Sequence, residues 1–142
     1  MSIRTFALIY GIGFLIVGAG GFIPGLLSEP HSHPDMTVNT GFGYLMGLFP
    51  VNVLHNLVHL AFGVWGLLAY RSASGARAYA RGVAIIYAVL AVSGLIPGLR
   101  TTFGLIPLFS HDVWLHIVLA AGAAYFGFVH RDADNLTTGA RV

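Results

Sequence analysis

The 142-residue chain has no cysteine and no lysine, and sets seven arginines against only five acidic residues. Without cysteine there is no disulfide, no thiolate metal site and no thiol nucleophile. Charged residues make up 8% of the chain, where soluble domains carry roughly 25%. So few charges cannot clothe a water-facing surface, so most of the surface must meet the lipid bilayer. The formal net charge of +2 is too small and too scattered for a nucleic-acid footprint. No phosphate-cradling glycine loop follows a strand. Lys, Arg and Glu are missing from the long apolar runs, which argues against a charge-coupled ion transporter.

The chain is 56% hydrophobic, and its charges fall between apolar runs. Residues 5–28, 82–99 and 113–130 carry no charge, and residues 36–70 carry none while His55 and His59 are neutral. A spanning helix needs about 20 largely apolar residues. The pattern predicts helices near 5–27, 51–70, 80–98 and 112–130, forming one domain over residues 1–131, with a polar cytoplasmic tail at 132–142. The first run, with Arg4 before it and Val17-Gly18-Ala19 inside it, also has the make-up of a signal peptide. The internal repeat described next argues against that.

Arginine asymmetry sets the expected orientation. Arg4, Arg71, Arg77, Arg81, Arg131 and Arg141 lie at the termini and the middle connection, and only Arg100 lies in the other two loops. Both termini should therefore be cytoplasmic, with residues 28–50 and 99–111 facing outward. Gly21-Phe22-Ile23-Pro24-Gly25-Leu26 closes the first run, and Gly94-Leu95-Ile96-Pro97-Gly98-Leu99 closes the third. Phe42-Gly43-Tyr44-Leu45 and Phe103-Gly104-Leu105-Ile106 follow, and His59 and His116 then occupy matching places. Gly-Pro exits recur in any bundle rich in small residues, but three motifs matching in order favour duplication. The expected fold is all-α: a transmembrane four-helix bundle made of two repeated helix hairpins.

Helical spacing gathers Asn52, His55, His59, Phe62, Gly63 and Gly66 on one face. Asp112, His116, Ala120, Ala123 and Gly127 share another. Small residues allow close approach and polar groups avoid lipid, so both faces should point inward. In the repeat, His55 pairs with Asp112 and His59 with His116. Three imidazoles and a carboxylate on facing helices suit Zn, Cu, Ni or non-haem Fe. The centre should lie in the outer third of the membrane, with His31, His33 and His111 on the same side to gather an ion. Two other readings stay open. His59 and His116 can act as polar packing between helices, with Asp112 and Asn52 as helix-start residues. They can also serve a proton relay or contact a quinone. Ser110, His111 and Asp112 are adjacent in sequence, but nothing sets them around an oxyanion site, so no catalytic residue is assigned.

Asn56-Leu57-Val58-His59, then Gly63, Gly66, Leu67 and Tyr79, resemble the most characteristic stretch of the bacterial membrane family filed as domain of unknown function 4383. Phe103-Gly104-Leu105-Ile106-Pro107-Leu108 and Asp112-Val113-Trp114-Leu115-His116 resemble its second signature. The likeness implies a four-span protein of a bacterial inner membrane with no established activity. It marks Asn56, His59, Asp112 and His116 as family positions; His55, His31 and His33 depart from the pattern, which weakens a ligand set using His55. A looser similarity to DoxX-like membrane proteins implies an accessory role near redox chemistry. The function expected is thus a binding or accessory membrane protein with a His59/His116/Asp112 centre, joined by His55 and supported by Asn56. The alternatives are a haem- or quinone-linked redox subunit or enzyme, or a purely structural protein. A homo-oligomer or a membrane partner subunit would fit any of the three.

Overall fold

A computed structural model describes residues 1–30 and 33–131 of the chain. His31 and the expected tail at 132–142 lie outside the described residues. The protein is a four-helix bundle: α1 (Ile3–Gly20), α2 (Val53–Ala69), α3 (Ala73–Leu95) and α4 (His111–Ala124), the last continued by a π turn at Tyr125–Val129. Between α1 and α2 lies a small antiparallel sheet of β1 (Leu27–Ser28), β2 (Gly43–Leu45) and β3 (Phe49–Val51), in that spatial order.

Two helix boundaries differ by seven residues from the sequence expectation. The first helix stops at Gly20 rather than near residue 27. Pro24 lacks an N–H and clashes with the preceding turn, so an apolar stretch cannot carry the helix past it. Leu27 pairs with Leu45 in the sheet instead. The third helix starts at Ala73, seven residues before the expected 80, because the Ser72 hydroxyl accepts from Gly75 N and caps it. Ala76 and Tyr79 are thereby fully buried, and Arg77 belongs to the helix rather than to a loop.

Ile12 and Ile16 of α1, Leu57, Val64 and Leu68 of α2, Val89 and Val92 of α3, and Trp114 and Val118 of α4 are exposed. Large apolar side chains on every outward face, with no polar face to oppose them, mark a membrane protein. The helices Ile3–Gly20, Ala73–Leu95 and His111–Val129 are long and apolar enough to cross a bilayer, while α2 has 17 residues.

α1 packs chiefly on α2, and α3 on α4. Small residues make the first interface: Gly11 meets the Gly63 carbonyl and Gly66, and Gly18 meets the Asn56 carbonyl. At one end the arginines serve the carbonyls that helix ends leave unpaired. Arg4 Nε donates to Tyr70 O at 2.8 Å, Arg81 Nε to Gly127 O at 2.9 Å and Arg77 to His130 O at 2.9 Å. At the other end the two long loops brace each other. Thr37 N and Val38 N donate to Gly104 O at 2.8 and 3.0 Å. Asn52 Nδ2 reaches Val38 O at 3.0 Å and Leu105 O at 2.7 Å.

Candidate functional site

The polar residues of the two helix faces lie together at the loop-braced end. Asn52, His55, Asn56, His59, Asp112 and His116 are all at most 5% exposed. The asparagines have structural jobs. Asn52 is the N-cap of α2, its Oδ1 accepting from His55 N at 2.9 Å. Asn56 Nδ2 donates to Gly21 O at 2.8 Å, satisfying a carbonyl just beyond the end of α1.

His55, Asp112 and His116 converge: one ligand atom from each lies within 4.8 Å of the others. Two imidazoles from α2 and α4 and a carboxylate one turn before His116 make this group. Both rings are oriented by backbone. His55 Nδ1 lies 3.2 Å from Pro50 O, and His116 Nδ1 lies 2.7 Å from Asp112 O. A carbonyl can only accept, so Nδ1 carries the proton in each and Nε2 keeps the lone pair. That is the arrangement in which outer hydrogen bonds fix tautomer and ring direction for a metal ligand. Asp112 Oδ2 also lies 3.1 Å from His116 Nδ1, but without hydrogen-bond alignment, and it is buried without a partner. The Nδ1 hydrogen is directed chiefly at the Asp112 carbonyl, with the carboxylate oxygen a longer and less well aligned neighbour.

Asp112 is not the N-cap of α4. Ser110 holds that position at a φ of 63° and makes no side-chain capping bond, its hydroxyl lying 3.3 Å from His111 Nδ1 instead. Capping therefore accounts for Asn52, whereas at Asp112 the helix dipole offers the carboxylate a favourable field but no hydrogen-bond partner.

His59 stands beside this group rather than in it. Its ring lies 4.5 Å from that of His55 and stacks on Phe14 at 5.8 Å, and its Nδ1 is buried without a partner. His59 is a wall of two cavities. One, of about 190 Å³, also touches His55, His116, Phe62, Tyr87 and Leu108. The other, of about 260 Å³, lies between α1 and α4. His33 and His111 are exposed. His33 bonds its neighbour's carbonyl and faces Phe42, in an open polar groove with Tyr44 and Arg100, and does not join the buried group.

Sequence reasoning missed Tyr87 and Pro50. Tyr87 is 1% exposed and stacks on His116 at 4.7 Å. A signal was there, since Tyr87 falls on the helical face of Ala84 and Ala91. Pro50 supplies a carbonyl through a fold contact that leaves no trace in sequence.

The family described as Domain of unknown function (DUF4383) matches residues 4–129. No curated protein and no solved structure matches the chain.

Proposed function

Because the chain belongs to the DUF4383 family, whose description assigns no activity, we propose its role from the buried polar group itself. We read the protein as a binding or accessory protein of a bacterial inner membrane, holding a transition metal at His55, Asp112 and His116. All four helices span in this reading, both termini are cytoplasmic, and the braced loops face outward, as the placement of the arginines supports. α2, at 17 residues, is at the short end of the spanning range. The two hairpins are read as copies of one ancestral unit.

The observation that carries the reading is the convergence of three buried ligand groups, two of them imidazoles whose Nδ1 atoms are bonded to carbonyls and which would offer Nε2 to a metal. Two imidazoles and one carboxylate leave positions open on Zn or non-haem Fe. Asp112 Oδ2 fits as well: it is buried with only the poorly aligned approach of His116 Nδ1 at 3.1 Å, and a cation would satisfy it. Bonds of about 2.0–2.2 Å to each donor require the three side chains to draw inward on binding. Polar packing between helices explains less. His116 spends its Nδ1 bond inside its own helix, and His59 Nδ1 has no partner. Haem fits poorly, because a porphyrin exceeds either cavity beside the histidines.

Elemental analysis and an absorption spectrum of detergent-purified protein test this. Near-stoichiometric Zn, Cu or Fe is expected in the wild type. The His55→Ala/His116→Ala variant should lose more than about tenfold in metal affinity at unchanged helical circular dichroism. Asp112→Asn, which keeps the shape and removes the charge, should weaken binding too. Metal-free wild type that cannot be loaded would refute the reading, and a double variant of lowered stability would then leave these residues a purely structural role.

A further inference from the structure

We propose that the cavity of about 190 Å³ beside His55 and His116 takes a small, singly charged anion of the azide or halide kind, bound to the metal and hydrogen-bonded by Tyr87. This rests on the metal reading above and names what completes that centre. Among the described residues, the side-chain nitrogens and oxygens that are fully enclosed and lack a hydrogen bond are Asn56 Oδ1, His59 Nδ1, Tyr79 Oη and Asp112 Oδ2. His55 Nε2 and His116 Nε2 make no hydrogen bond either, since each ring bonds through Nδ1, yet they are not in this sealed set. The same holds for the Tyr87 hydroxyl. All three atoms therefore keep open surface, although their residues are at most 3% exposed. His55, Tyr87 and His116 line this one cavity together, and it is where that surface lies. An ion held on Nε2 of both rings sits on the cavity side of them, so its unfilled positions open into the same space.

Charge, size and the available donor select the occupant. Two neutral imidazoles and one carboxylate leave a divalent ion with one positive charge uncompensated. Glu29 and Asp35, the other acids among the described residues, are exposed in the first loop and do not line the cavity. Val58, Phe62, Ile86, Leu90 and Leu108 make an apolar wall, in which a net charge is costly. One monoanion brings the centre to neutrality, whereas a dianion overshoots it. Organic ligands usually occupy roughly 300 Å³ or more, so this volume suits an occupant of a few atoms. The Thr102 hydroxyl is engaged, donating to Ile106 O at 3.2 Å. The Tyr87 hydroxyl is not, and its ring stacks on the His116 ligand at 4.7 Å with 28° between the planes. It is a donor with open surface beside the metal, and an anion accepts from it.

Loading the detergent-solubilised full chain with copper(II), then titrating with sodium azide, tests the proposal. Copper(II) is the strongest binder of the divalent first-row ions at a nitrogen and oxygen site. A chain that fails to retain it therefore sinks the metal reading and this proposal together. With copper retained, azide should produce a saturable azide-to-copper charge-transfer band that sulfate, a dianion, does not displace. Tyr87→Phe keeps a ring against His116 and removes the donor, so it should weaken azide about tenfold or more with copper affinity unchanged. A merely structural role for Tyr87 would instead lower copper affinity and leave azide affinity of the loaded protein as it was. Ile106→Trp, from the loop side of the cavity, should fill the space and remove the azide band at unchanged copper content. Retained copper with no azide band, or azide affinity undiminished in either variant, would overturn the proposal and leave the metal reading standing.

Discussion

Replacing Gly66 by alanine should force α1 and α2 apart, while the same change at Gly13 should not. A Cβ at Gly66 would lie 2.7 Å from Gly11 Cα, 2.9 Å from Ala7 O and 3.0 Å from Gly11 N. All three atoms are backbone, so no rotamer change relieves them. Carbon contacts settle near 3.5–4.0 Å, which leaves the pair roughly 0.8 Å too close. Overpacking of this kind costs about 1–3 kcal/mol, offset by up to about 1 kcal/mol because alanine is the better helix former. With the full offset the net loss for Gly66→Ala is about 0–2 kcal/mol. At Gly13 a Cβ meets nothing within 4 Å, so only the propensity gain of up to about 1 kcal/mol remains. Unfolding the purified protein by titrating SDS into a mild detergent, followed by circular dichroism, measures both. Equal shifts for the two variants, or a stabilised Gly66→Ala, would refute glycine-set approach as the basis of this interface.

Asn52→Ala should destabilise by about 3 kcal/mol, combining a lost cap of about 1 kcal/mol with two unpaired carbonyls at about 1 kcal/mol each. The same titration reads the loss, and limited proteolysis should open residues 28–50 before the helices unfold. The absence of native cysteine makes the topology directly measurable. Asn39→Cys, in the exposed first loop, should react with a membrane-impermeant maleimide in intact cells, and Ser74→Cys, exposed near the start of α3, only after lysis. The reverse pattern would invert the proposed orientation.

The bundle was readable because lipid as solvent demands long apolar runs, and such runs survive in composition. Their ends were not. Phe22, Ile23, Leu26 and Leu27 are as apolar as the helix before them, so hydropathy ran the first helix on to 27, whereas Leu27 in fact enters the sheet. At the start of α3 the error had the opposite sign. Arg77 resembles a loop residue, but it is helical, its side chain turned, like that of Arg81, to carbonyls in and just past the π turn that continues α4. The strands, two or three residues long, are too short to show alternation and exist through pairing with distant chain. For the polar centre, i,i+4 spacing correctly put the histidines and Asp112 on inward faces. It could not say which of His55 and His59 would meet His116. The repeat admits both and the family resemblance favours His59, yet His55 is the one in ligand range with Asp112 and His116.

The choice of His55 follows from the sheet. β3 is an edge strand, where the missing N–H of Pro50 removes no ladder bond from the outer side. The Pro50 carbonyl instead accepts from His55 Nδ1, and two residues later Asn52 caps α2 while holding both long loops. The direction of the His55 ring is thus fixed by loop architecture, whereas Asp112 and His116 are fixed within α4. His59, one turn deeper in α2, is set against Phe14 across the glycine-packed interface with α1. The two parts of the polar stripe therefore answer to different perturbations. Loosening the loops, as in Asn52→Ala, should scatter the His55/Asp112/His116 group and lower metal affinity with the α1–α4 groove intact. Spreading α1 from α2, as in Gly66→Ala, should alter the groove and leave metal affinity near the wild-type value. A metal affinity that falls with Gly66→Ala and holds with Asn52→Ala would mean that helix packing, not the sheet, aims His55.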